Sequence, residues 1–150
     1  MRSSAWRPTH PDDLPEILSR VQPAQREQIE SGPDLSDPEL LELTFRTFLV
    51  ADRPEALFGV LLLWRGCARG VGLLTPVALE HPLVLTLGLR REIERAMEAF
   101  QLRRLEVTVE EQHEAAQRWA AALGFQPEGL MRYYGPAGNH HWLYARIREA

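Results

Sequence analysis

The chain has 150 residues, of which 45% are apolar and 25% charged, with a net charge of −4 and a single cysteine, Cys67. That length suits one globular domain, 1–150, and the composition excludes disordered, collagen-like and membrane-spanning classes. All seventeen basic residues are arginine, which excludes lysine Schiff-base chemistry and the lysine of a phosphate-binding loop.

Charge is unevenly placed. Residues 1–50 hold five arginines against nine acids, while each of the other two thirds balances at six against six. No basic footprint for nucleic acid is present. Apolar runs such as Val60 to Trp64 fall far short of the roughly 20 residues that cross a bilayer, so no membrane partner is expected. The start, Met1-Arg2-Ser3-Ser4-Ala5-Trp6, has no secretory apolar stretch, and one cysteine forms no internal disulfide, which fits a reducing, cytoplasmic setting.

In chain order, Ala5 to Arg7 reads as a short strand stopped by Pro8. Thr9 then opens a helix, with Asp12 three residues on as in a capping box, and Leu14, Ile17, Leu18 and Val21 form one apolar stripe. A loop spans Ser31 to Pro38, and Asp37-Pro38 begins a second helix through Leu43. Phe45 to Ala51 and Ala56 to Trp64 read as a hairpin about Asp52 to Glu55, and Val71 to Leu74 as a third core strand. Leu85, Leu89, Ile93, Met97 and Phe100 recur at helical spacing with charges between them. Leu105 to Val109 alternates as a strand, and Glu111 to Leu123 reads as a helix closed by Gly124. Two strands end the chain, near Gln126 to Tyr134 and His140 to Arg148. The succession predicts an α/β fold: a mixed central sheet of about six to seven strands, apolar on both faces and flanked by about four helices.

The opening Trp6-Arg7-Pro8-Thr9-His10-Pro11-Asp12-Asp13-Leu14 and the late Leu123-Gly124-Phe125 followed by Glu128 to Tyr133 resemble the GNAT superfamily of acyl-CoA N-acyltransferases. A closer resemblance is to phage and prophage acetyltransferase-like proteins that include an internal virion protein of short-tailed coliphages. It is carried by Leu74-Thr75, His81-Pro82, Arg90-Arg91, Trp119 and Leu123-Gly124-Phe125. The resemblance implies a single GNAT-like domain, acetyl-CoA as cofactor in active members, and a small-residue turn whose amides touch the cofactor pyrophosphate.

The nearest segment to that turn is Leu85-Thr86-Leu87-Gly88-Leu89-Arg90, with leucine first and arginine last where the family has Gln or Arg and Gly or Ala. Cofactor-binding candidates are Gly88, Arg90 and Arg91, the arginines able to pair directly with phosphate, and His113, which falls where the family usually has Asn. The family's usual acid, a tyrosine, falls on Ala120, which donates no proton. Tyr134 or Tyr133 on the next strand is the substitute, and Glu80, His81 and the His140-His141 pair are candidate bases. No metal is expected: adjacent histidines on a strand point to opposite faces, and no Cys or His-x-x-x-His set accompanies them. Trp64 and Trp142 become interface candidates if exposed.

Two functions follow. One is a non-catalytic or weakly active GNAT-like protein, phage- or prophage-encoded, acting through protein contacts in the host cytoplasm or the virion, or with copies of itself. The alternative is a working acetyl-CoA-dependent N-acetyltransferase of an amine.

Overall fold

The structure, a computed structural model, describes residues 4–21, 23–32, 34, 35 and 37–148, with only the backbone of Ser4 and Ala24. Residues 33 and 36 of the expected 31–38 loop, and residues 1–3 at the start of the chain, lie outside the described residues. Seven strands, β1 (Ser4–Pro8), β2 (Phe45–Val50), β3 (Arg53–Trp64), β4 (Cys67–Leu74), β5 (Arg104–Glu110), β6 (Gln126–Met131) and β7 (His141–Ile147), form one sheet in the order β1-β2-β3-β4-β5-β7-β6. The sheet is mixed: β4 and β5 run parallel, whereas β1–β2, β2–β3, β5–β7 and β6–β7 run antiparallel. The helices are α1 (Asp13–Leu18), α2 (Pro23–Glu30), α3 (Pro38–Thr44), α4 (Pro76–Leu79), α5 (Pro82–Ala99) and α6 (Glu114–Ala122).

The expected α/β fold with a sheet of this size is what the chain adopts, with two helices among the described residues beyond the about four expected. The first predicted helix ends at Leu18, and α2 restarts at Pro23, whose fixed φ suits a first helical turn. Thr9 does not cap it. Its hydroxyl is buried against the Thr47 hydroxyl at 2.8 Å, and Asp12 is the N-cap residue without a side-chain bond.

Contacts divide the chain into two units, Met1–Val60 with Val71–Glu92, and Leu61–Gly70 with Ile93–Ala150. In the first unit, Phe45, Phe48, Ile17, Leu57, Leu73 and Leu85 are fully buried. The β2–β3 hairpin turns on Ala51 and Asp52, both at positive φ (51° and 62°), the pairing that matches a two-residue hairpin to strand twist. The ladder slips beyond Phe48, which pairs with Ala56 while Leu49 pairs with Pro54, leaving Glu55 as the extra residue. A bulge is where a strand tolerates proline. It also frees the Glu55 carbonyl to accept the Thr75 amide at 3.0 Å and the Thr75 hydroxyl at 2.9 Å. That pins the chain as it leaves β4.

In the second unit, β7 pairs along all of β5, from Arg104↔Ile147 to Glu110↔His141. Alternation puts Leu105 in the core and sets Glu106, Thr108 and Glu110 on one face with Ala145, Leu143 and His141 opposite them. The β4–β5 ladder has three pairs, Cys67, Ala68 and Arg69 with Arg104, Leu105 and Glu106. α6 stops at Gly124, whose φ of +95° suits the residue after a helix C-cap, and the Phe125 amide returns to Ala120 O at 3.0 Å.

Candidate functional site

The connection from β4 into α5 carries most of the sequence candidates. Thr75 caps α4 through its hydroxyl, which accepts from the Ala78 amide, and Pro76 fills the first position. Glu80 is the exposed C-cap residue of α4. His81 follows, half-buried, its Nε2 enclosed without a hydrogen-bond partner among the described residues. α5 then opens on Pro82-Leu83-Val84. Its first laddered amide is that of Leu85, which donates to His81 O at 2.9 Å. The opening turn therefore has one residue with no N–H and two with bulky, solvent-facing side chains, Leu83 at 71% exposure and Val84 at 48%.

Expecting a cofactor turn at Leu85 to Arg90 needs correcting, because the helix begins earlier, at Pro82, and the whole segment lies inside α5. Gly88 is a helical residue, and a Cβ there would meet the Trp6 indole Nε1 at 2.4 Å. Its small size is explained by packing of Trp6, which also rests on Phe48 with ring centroids 5.3 Å apart. Arg90 and Arg91 are exposed on α5 and form no ion pair among the described residues. They stand eight and nine residues after Pro82, which at 1.5 Å per residue is ~12 Å along the axis from the helix mouth.

The second unit places His113 as the N-cap of α6, where its Nδ1 accepts from the Ala116 amide at 3.1 Å. Ala120 is buried packing. Tyr134 receives a hydrogen bond on its hydroxyl from Arg69 Nη1 at 2.8 Å, and the Arg69 guanidinium lies 5.9 Å from its ring centre. Arg69 is held in turn by Glu106 at 2.7 Å, which also takes two bonds from Arg104, and Arg104 reaches Glu128 at 2.7 Å. Burial works to raise the Glu106 carboxyl, but the bonds from Arg69 and Arg104 outweigh it and hold the group below the usual carboxylate range. His141 is 4% exposed and packs against the Tyr134 ring at 5.4 Å. Neither imidazole nitrogen has a partner among the described residues, and burial pushes the group below its ordinary value against a smaller upward pull from Glu110. His140 is separate: its Nδ1 accepts from the Tyr133 amide at 2.8 Å.

Sequence reasoning named Tyr134 and the histidine pair and missed Arg69, Glu106 and Arg104. These three converge only through strand register, Arg69↔Glu106 across β4–β5 and two-residue alternation along β5, and no local motif announces that. Trp64 is 66% exposed near the end of β3, whereas Trp142 is half-buried.

Comparison with solved structures decides the fold. An acetyltransferase of the GNAT family from Streptococcus pneumoniae superposes with a TM-score of 0.72 at 17% identity, covering 98% of this chain and 100% of that one. The fold is that of the GNAT acetyltransferases. Ard1 from Thermoplasma volcanium gives 0.71 at 16% identity, covering 98% and 99%, and a variant of the spermidine N-acetyltransferase SpeG from Vibrio cholerae gives 0.69 at 11%, covering 96% and 93%. No family model matches the chain, and no curated protein matches it in sequence. At these identities the GNAT likeness is one of architecture, and sites must be argued from this chain's own residues.

Proposed function

We propose that this GNAT-fold protein acts through contacts of its surface with other proteins, with little or no acetyl transfer, and that it serves a phage or prophage, in the host cytoplasm or the particle. The observation that carries the reading is the opening turn of α5. A pyrophosphate held at a helix N-terminus needs several amides approached closely by its oxygens. Pro82 supplies no amide, Leu83 and Val84 wall the next two with large apolar groups, and the arginines that would replace lost contacts lie farther along the helix. The residues present do not fit the diphosphate of acetyl-CoA. The phage assignment rests on the sequence resemblance at Leu74-Thr75, His81-Pro82 and Trp119.

The test is titration calorimetry and thermal melting with acetyl-CoA. A ligand at 100 times its dissociation constant adds ~2.7 kcal/mol of stability. The proposal expects no heat of binding and no rise in Tm at millimolar cofactor, and a saturable signal removes it. The acetyl-transfer reading draws on one observation, the Tyr134 hydroxyl set against Arg69 as a positioned proton donor, and the same titration decides for or against it.

A further inference from the structure

The first unit presents two exposed helix faces of opposite character. On α5, Leu83, Leu87 and Arg91 follow one another at spacing four with Val84 and Arg90 beside them, so they share one outward stripe. Leu83, Val84 and Leu87 are about half exposed or more, Leu79 just before them is 55% exposed, and Arg90 and Arg91 are exposed without ion pairs among the described residues. Four large apolar groups exposed within nine residues mark an interaction site in a way that single scattered leucines do not. On α3, Glu39, Glu42 and Leu43 share a face at spacings of three and four. Leu43 is 75% exposed, and both glutamates are exposed and without ion pairs among the described residues. α3 lies in the third of the chain that carries the whole net charge of −4.

We infer that these two faces are complementary and that α3 of one copy docks antiparallel on α5 of a second copy of this chain. Antiparallel alignment with Leu43 lodged between Leu83 and Leu87 carries Glu39 toward Arg90 and Arg91, because four residues on either helix span ~6 Å. Glu42 then sits about one helical turn short of Arg90. Apolar anchors thus meet apolar anchors, and the unpaired acids of one helix meet the unpaired arginines of the other. The contact joins unlike surfaces, so it closes into a pair only when each copy gives and receives once, and otherwise extends. The inference supplies the contact-making role above with a partner of defined chemistry. It rests on that reading for its use in the cell, while the association itself is measured without acetyl-CoA.

Sedimentation of the full chain over a concentration series, at low and high salt, reads the association. The expected result is a mass above the monomer that rises with concentration and weakens with salt, since the ion pairs at the contact rim are screened. Leu83→Glu with Leu87→Glu, both at exposed positions, weakens association by ~tenfold or more with melting unchanged. Glu39→Arg with Glu42→Arg weakens it, Arg90→Glu with Arg91→Glu weakens it, and mixing the two charge-swapped proteins restores it. A monomer at every concentration overturns the inference and leaves the surface to a different protein. Association that survives the leucine substitutions, or swapped pairs that fail to rescue each other, assigns it to another face and overturns it equally. A positive acetyl-CoA titration with association intact would remove the proposed function and leave this contact standing.

Discussion

The opening turn of α5 and the arginine–glutamate face of β5 belong to the same sheet-and-helix fold and have opposite chemistry. The first sets Leu83, Val84 and Leu87 in solvent, while the second links Arg69, Arg104, Glu106 and Glu128 in a chain of ion pairs beside Tyr134. The apolar mouth has no internal reason to be apolar, whereas the charged face explains itself by its own pairs. The architecture shared with acetyltransferases assigns a role to neither surface, so each must be argued from its own residues.

The contrast breaks most sharply if the first unit does not depend on its core. Phe45 is 0% exposed and its ring lies where a Cβ on Gly59 would fall, 2.1 Å from ring carbon Cγ. Phe45→Ala is expected to lower unfolding free energy by ~3–5 kcal/mol in denaturant titration. A loss below ~1 kcal/mol would mean the core is not what holds this unit.

The charged face is expected to respond less. Glu106→Gln leaves Arg69 without its carboxylate and removes one of the two acids that bind Arg104, whose pairing to Glu128 remains. Both arginines are partly solvated, so the loss should be ~1–3 kcal/mol, and it should shrink in high salt. An unchanged midpoint would show the network to be an ornament of the surface. Gly88→Ala sharpens the other side of the comparison. At an open helix site the change stabilises by up to ~1 kcal/mol, but here the new methyl displaces the Trp6 indole, and a net loss of ~1–2 kcal/mol is expected. The loss should vanish in a Trp6→Leu background. A gain in stability with Trp6 in place would return Gly88 to the list of residues kept for a ligand.

Much of the fold was legible because its signals are local. The leucine and isoleucine spacing of α5, the alternation of β5 and Gly124 after α6 each state a backbone geometry in a few residues. The split between α1 and α2 was not read, although Pro23 marks a helix start as plainly as Pro38 does. The site was less legible for a different reason. Gly88 looked like a turn glycine by its neighbours, and only the packing of Trp6 from β1, 82 residues earlier, gives its actual role. The Arg69–Glu106 pair likewise depends on which residues of separate strands come level, a quantity invisible to spacing along the chain, and Tyr134 meets it from the β6–β7 connection because β6 ends at Met131, short of the Tyr134 expected as its end.

The smallest effect expected is a pH dependence from His141. Burial holds its folded value below that of an exposed histidine, with Glu110 pulling weakly the other way. As pH falls, the unfolded chain therefore takes up this proton before the folded one does. The stability due to neutral His141 is complete above the ordinary histidine range and is lost progressively as pH falls through that range toward the lower folded value. Between about pH 7 and pH 5, the unfolding free energy should fall on account of this group, by less than the losses expected above. Burial would raise Asp13 and Glu106, but arginine hydrogen bonds prevail there and at Glu128 and hold all three below their ordinary values, so their losses begin near pH 5 and fall mostly below that window. Chemical denaturation of the wild type and of His141→Gln across this interval isolates the proton: the variant's curve should be flatter. Parallel curves would mean that His141 titrates alike in both states and that its enclosure by Tyr134 and the β6–β7 connection is open to water.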